Sequence, residues 1–193
     1  MATKNEHSSE LSAEDRIELR FLSNHTHFLT GDISEENIKR TIQWIVYENL
    51  DDKKENQNKV LTLYVNSTGG ELYQAFALID IMNRSKYPIS TIGVGSIMSS
   101  GFLIFASGTK GLRYITPNTG IMCHQFTDSM ENKYHDIKAA MKETEYMNSR
   151  MLQVLRNVSG LDIRTVKSKL LGSSDAYFTA DELIDLNIAD HIL

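Results

Sequence analysis

Val60-Leu61-Thr62-Leu63-Tyr64-Val65-Asn66-Ser67-Thr68-Gly69-Gly70 is the stretch that sets the fold class of this chain. Its first six residues are a β-branched, aromatic and aliphatic run, the composition of a strand held between neighbours. Asn66 to Gly70 is a cluster of turn formers. Beyond it Leu72, Ala75, Ile79 and Met82 return at the spacing of a helix. The unit is strand, glycine turn, helix, and it recurs downstream. Pro88 opens a second strand, Ile89 to Val94, which runs into Gly95-Ser96-Ile97-Met98-Ser99-Ser100-Gly101 and an apolar segment, Phe102 to Ala106, read as a short buried helix.

On the N-terminal side, Ser34 is placed to cap a helix over residues 35 to 49, with Ile38, Ile42, Ile45 and Val46 on its apolar face and Ile33 stapled onto Ile38. On the C-terminal side, strands are expected at Leu112 to Ile115 and Gly120 to His124. A long helix follows from Asp136 to Val158, ended by Ser159-Gly160, then a shorter one from Ile163 to Leu171. Thr179 and Glu182 form a capping box for a last short helix, and Ala189 to Leu193 reads as a closing strand. Strands alternating with helices across short turns predict an α/β fold with right-handed crossovers and a mainly parallel sheet. The long helix stands apart. At about 1.5 Å per residue it would span roughly 34 Å, about the width of the domain. Its Met-rich apolar stripe can serve either the core or an interface.

Composition bounds the function. The chain has 193 residues with 41% hydrophobic and 23% charged content, enough for one cored domain over 1–193. A single Cys cannot form an internal disulfide, which suits a reducing compartment. The net charge of −5 and the lack of any long Lys/Arg run argue against nucleic acid or anionic lipid as partner. The first residues lack the order of a secretory signal, no apolar run approaches the length of a membrane span, and a cytoplasmic location is expected. Residues 1–17 read as a flexible N-terminal segment and Asp51 to Lys59 as a surface loop.

Chemistry is expected where strands run into helices, because the first amides of a helix lack backbone partners and can hold a developing negative charge. Gly69-Gly70 and Ser99-Ser100-Gly101 precede two such starts. A serine on a sharp strand-to-helix turn is presented with its following amide, and Ser99 fits that description. It needs a base. Of six histidines, His124 ends a strand at the carboxyl edge where open α/β sheets bind ligands, the same edge as Ser99. Its neighbour Cys123 faces the opposite side and is assigned to the core. Asp175, Asp128 and Asp136 are all candidates for the orienting acid, and spacing does not choose among them.

Several segments together resemble a known family, the ClpP proteolytic subunits of the Clp protease, serine peptidases of the crotonase-like superfamily. Phe28-Leu29-Thr30-Gly31 resembles the first strand and Leu63 to Gly70 the Asn-Ser-Pro-Gly-Gly turn. Gly95 to Gly101 resembles the nucleophile segment, Pro117-Asn118 and Met122-Cys123-His124-Gln125 the Pro-Asn and Met-x-His-Gln run, and Asp175 to Glu182 the stretch carrying the acid. The resemblance implies a ClpP/crotonase-like fold, with 125–158 as the handle region through which two seven-membered rings stack. It also implies Ser99 as nucleophile, His124 as base and Asp175 as orienting acid, with the backbone amides of Gly70 and Ser100 as oxyanion hole. No metal or organic cofactor is required. The partners implied are further copies of the chain in a heptamer or tetradecamer, a Clp-type ATPase docking near Tyr64, and unfolded polypeptide substrates. The chain departs from the family pattern at Thr68, where Pro is usual, and over Phe126 to Tyr134, which carries no glycine. A catalytically silent or partner-activated ring subunit is the alternative reading; a third, an acyl-CoA enzyme on the same framework, would need a carboxylate near Gly70, for which Glu71 is the candidate.

Overall fold

The computed structural model describes residues 11–50, 58–127 and 133–193, so parts of the expected N-terminal segment, of the Asp51 loop and of the handle region, together with Asp128, lie outside the described residues. The chain opens on α1 (Ala13–Ser23), with a capping box from Ser12 and Asp15 at its start. α1 thus begins within the segment 1–17 read above as flexible. α1 buries none of its residues. Then come β1 (Thr26–Thr30), α2 (Glu35–Leu50), β2 (Leu61–Ser67), α3 (Leu72–Asn83), β3 (Ile89–Met98) and α4 (Ser100–Ala106). The rest is β4 (Arg113–Ile115), β5 (Gly120–Cys123), α5 (Tyr134–Ser159), α6 (Ile163–Lys169), β6 (Ala176–Phe178), α7 (Ala180–Asp185) and β7 (His191–Ile192).

The expected α/β architecture is present. The strands form one sheet in the order β1-β2-β3-β4-β7, with β5 and β6 branching from β3. Every pairing is parallel except that of β5 with β6. β3 runs four residues past the Val94 expected for its end, and it forks: Thr91–Gly93 pair with β4 while Ser96–Met98 pair with β5. The fork is built by a bulge. Val65 pairs with Gly93, yet Ser67 pairs with Ile97, so β3 carries extra residues. Gly95 sits at φ +63°, and a Cβ there would meet the Asn66 side chain at 2.7 Å. Asn66 Oδ1 accepts from the Ser96 amide at 3.0 Å and from its hydroxyl at 3.1 Å, stitching the bulge to β2. The strand bends there and delivers Ile97–Met98 toward β5.

Helix α4 has all seven of its residues buried, because beyond Ser100 it carries only glycine, aliphatic and aromatic side chains. α5 is divided. Met147, Met151 and Leu155 are buried in the core while Met141 is 54% exposed, so the C-terminal half packs into the core and the N-terminal half is mostly exposed. No helix among the described residues is long and apolar enough to cross a membrane.

One buried cation ties the late elements together. The Arg113 side chain is 1% exposed and pairs with Asp190 through Nε at 2.8 Å and a terminal nitrogen at 2.7 Å. It also donates to the Val158 carbonyl at the end of α5, at 3.1 Å. Burial pushes the Asp190 carboxyl up, but hydrogen bonds and charge from Arg113 outweigh it and hold the group below its ordinary range. A carboxyl held low contributes stability above its unfolded value, and that contribution is lost as pH falls through the folded value. Asp190→Ala leaves the guanidinium buried without its counter-ion, and urea unfolding at neutral pH should show a loss of about 3–5 kcal/mol.

Candidate active site

Ser99 is the residue between β3 and α4, and it holds φ +53°, ψ −123°, a conformation L-residues rarely adopt. The strand arrives pinned by the Ser99 amide, which donates to the Met122 carbonyl at 3.0 Å. The buried helix leaves directly, so the chain reverses direction within one residue and the serine side chain is thrown outward.

The neighbouring turn fits against it without room for side chains. A Cβ on Gly69 would lie 2.7 Å from Ser99 Cβ, and one on Gly70 would lie 2.6 Å from the Ile33 carbonyl oxygen. Both glycines also have positive φ, +110° and +144°. The turn is anchored on its far side by the segment between β1 and α2: the Ile33 amide donates to the Gly69 carbonyl at 2.9 Å and the Glu71 amide to the Ile33 carbonyl at 2.8 Å. This pattern leaves the Gly70 amide without a partner among the described residues. The Ser100 amide is at the first position of α4, where no helical acceptor exists. The Ser100 hydroxyl donates to the Gly70 carbonyl at 3.2 Å, joining the two turns. Thr68, in place of the usual Pro, therefore sits in a turn held by Ile33.

His124 follows β5, and its Nε2 lies 2.8 Å from Ser99 Oγ. Asp175 enters by a route not visible in the sequence. β5 and β6 pair antiparallel with Met122 opposite Tyr177 and Cys123 opposite Ala176, so the next step of the register sets Asp175 opposite His124. Nδ1 of His124 and Oδ1 of Asp175 are 3.8 Å apart, an ion-pair distance and not a hydrogen bond. Asp175 is 52% exposed, and its carboxylate accepts no hydrogen bond among the described residues. Asp136 lies in the first turn of α5 and makes no ion pair with His124.

A cavity of about 70 Å³ adjoins Ser99 and His124, closed by Leu72 from α3, by Phe126 and by Met151 from α5. Neither Met151 nor Phe126 was identifiable from the sequence, since nothing local links them to Ser99. Glu71 does not line this cavity. A larger cavity, about 1090 Å³, lies elsewhere, between α1 and α2 against β1. Tyr64 stacks on Phe28 at 4.6 Å, and Phe28 meets Phe21 at 4.8 Å, so the three form an aromatic group that joins β2 and β1 to α1.

Cys123, His25 and His27 sit in structural settings. Cys123 is buried, and burial pushes its thiol up to about 12. His25 lies 2.9 Å from Glu48, whose carboxylate also holds Lys59 at 2.7 Å. His27 stacks on Trp44 at 5.2 Å, and burial lowers its imidazole from 6.5 to about 4. Among the described residues no group of three or more His, Cys, Asp or Glu could hold a metal ion.

A serine on a strained elbow, an imidazole at hydrogen-bond distance and two unpartnered amides on adjoining turns, all on one α/β sheet, are the parts that acyl transfer requires. The comparison with known families gives the particular case: the family model described as Clp protease matches residues 9–193, and the chain belongs to that family. It is 30% identical over 173 residues to the ATP-dependent Clp protease proteolytic subunit 1 of Leifsonia xyli subsp. xyli (strain CTCB07), an alignment covering 90% of this chain and 85% of the relative. The fold expected from the resemblance is thus the observed one.

Two measurements check this geometry. Gly70→Ala forces backbone against backbone at Ile33 and should lower unfolding free energy by roughly 1–3 kcal/mol in urea titrations. Between pH 6.5 and about 4 the unfolded chain takes up a proton at His27 that the folded chain refuses, so stability falls as pH falls through this window. His27→Gln should flatten that part of the curve of unfolding free energy against pH, with little change above pH 7.

Proposed function

We propose that the chain is a serine endopeptidase subunit of a compartmentalised Clp-type protease, hydrolysing unfolded polypeptides in the cytoplasm. The observation that carries the reading is the 2.8 Å contact of Ser99 Oγ with His124 Nε2 beside the free amides of Gly70 and Ser100. Nε2 can accept from Ser99 only if the ring proton is on Nδ1, the nitrogen facing Asp175. Ser99 Oγ then attacks the scissile carbonyl as its proton passes to Nε2, and the amides of Gly70 and Ser100 stabilise the tetrahedral oxyanion. His124 returns the proton to the departing amine, leaving an acyl-enzyme. A water activated by the same imidazole releases the acyl group and restores Ser99. Asp175, 3.8 Å from Nδ1, acts through its charge and favours the imidazolium that forms twice per turnover. No metal or organic cofactor enters these steps.

Membership of the family supports self-association, in a heptamer or tetradecamer, and supply of substrate by a Clp-type ATPase. The exposed N-terminal half of α5 supplies a surface for the contact between rings. The aromatic group of Phe21, Phe28 and Tyr64 offers an apolar surface for a partner.

A second reading is a subunit activated only by its partner. The 3.8 Å gap between His124 and Asp175 favours it, since a charge-assisted hydrogen bond requires about 2.7–2.9 Å. Intact mass after treatment with a fluorophosphonate probe separates the readings. One adduct on the chain alone, absent in Ser99→Ala, supports the resting peptidase; an adduct that forms only with a Clp-type ATPase present supports the second. No adduct in either condition overturns both. Ser99→Ala should lower kcat for a fluorogenic peptide by about 10⁴-fold or more, with the protein still folded.

A further inference from the structure

Gln125 is the residue of the Met122–Gln125 run that the mechanism leaves without a task. It follows His124 directly, and its side-chain amide nitrogen donates to two successive carbonyls, Leu171 at 2.9 Å and Gly172 at 3.1 Å. Both donors of the amide are thereby used. These carbonyls stand at the head of the segment leading from α6 to Asp175. Leu170 and Leu171 are anchored in the core, whereas residues 173–175 are exposed and Asp175 accepts no hydrogen bond among the described residues. On the other side of Gln125, the Phe126 amide donates to Asn148 of α5 at 3.1 Å, so the strand end carrying His124 is itself fixed.

The clamp therefore joins the backbone that carries the base to the backbone that carries the acid. We propose that Gln125 is a positioning residue, which by holding the Leu171 and Gly172 carbonyls sets how closely Asp175 approaches His124. The inference rests on the serine-peptidase reading above. The residues opposite Gln125 are main-chain acceptors, so a donor is required and a carboxylate of the same shape is not an equivalent. Beyond the clamp, the next tie to the strand of His124 is the pairing of β5 with β6, which begins at Ala176.

The test is a double-mutant cycle on the full chain with a Clp-type ATPase present, using a fluorogenic peptide and Ser99→Ala as control. Gln125→Met, nearly isosteric without donors, should lower kcat about tenfold with KM unchanged, well short of the 10⁴ associated with loss of the orienting acid. In an Asp175→Asn background the same change should cost nothing further, because both act through one route. Gln125→Glu, which sets a carboxylate against two carbonyls, should lower kcat at least as much and supplies a second reading should Gln125→Met fold poorly. Losses that simply add in the Asp175→Asn background overturn the proposal, as does a rise in KM with kcat intact, or no change in either variant. Hydrolysis that survives Ser99→Ala overturns the parent reading, and this one with it.

Discussion

The site depends on one close approach. The Gly69-Gly70 turn lies with its backbone against Ile33 on one side and against Ser99 on the other, at distances no Cβ could share. That contact joins three segments remote in sequence: the connection after β1, the turn after β2 and the elbow after β3. The hydrogen bonds of Ile33 consume the Gly69 carbonyl and the Glu71 amide and leave the Gly70 amide over. An unpartnered donor is normally a cost, and here it follows from the pairing geometry that holds the turn in place. The same arrangement that fixes the backbone therefore exposes the group able to receive negative charge.

Two kinds of support hold this arrangement. Apolar burial of α4 fixes the direction in which the chain leaves Ser99, since every residue of that helix is inside. Polar stitching fixes the direction in which it arrives: Asn66 closes the bulge at Gly95-Ser96, and Met122 accepts from the Ser99 amide. The Arg113–Asp190 pair acts further back, binding β4 and the chain end to the close of α5. Such buried pairs are expensive to break from one side and of modest net worth when intact. Their effect here is to hold the far ends of the elements whose near ends make the site.

The repeated unit of strand, glycine turn and helix was legible because turn chemistry is local. Gly69-Gly70, Ser99 and His124 could all be placed on the carboxyl edge of a parallel sheet from punctuation alone. The acid could not be chosen so, because the choice rests on the register of β6, a three-residue strand too short to show a period. The bulge in β3 read as the end of a strand, since the side chain that fills it, Asn66, comes from the neighbouring strand. The polar composition of the first residues hides the start of α1 within the segment 1–17, although Ser12 and Asp15 carry a capping signal. The role of Gln125 is not legible locally, because its partners lie 46 and 47 residues away.

Ser99 has one more consequence, which concerns how such a chain drifts. Its φ of +53° is a conformation that glycine holds with less strain. Replacement by glycine would thus relieve the backbone while removing the hydroxyl, so stability and reactivity pull in opposite directions at this single position. A copy of the chain released from any demand for chemistry would have a downhill path to a quieter and firmer fold. Folding alone does not explain a serine at position 99, where the backbone would rest more easily without a side chain.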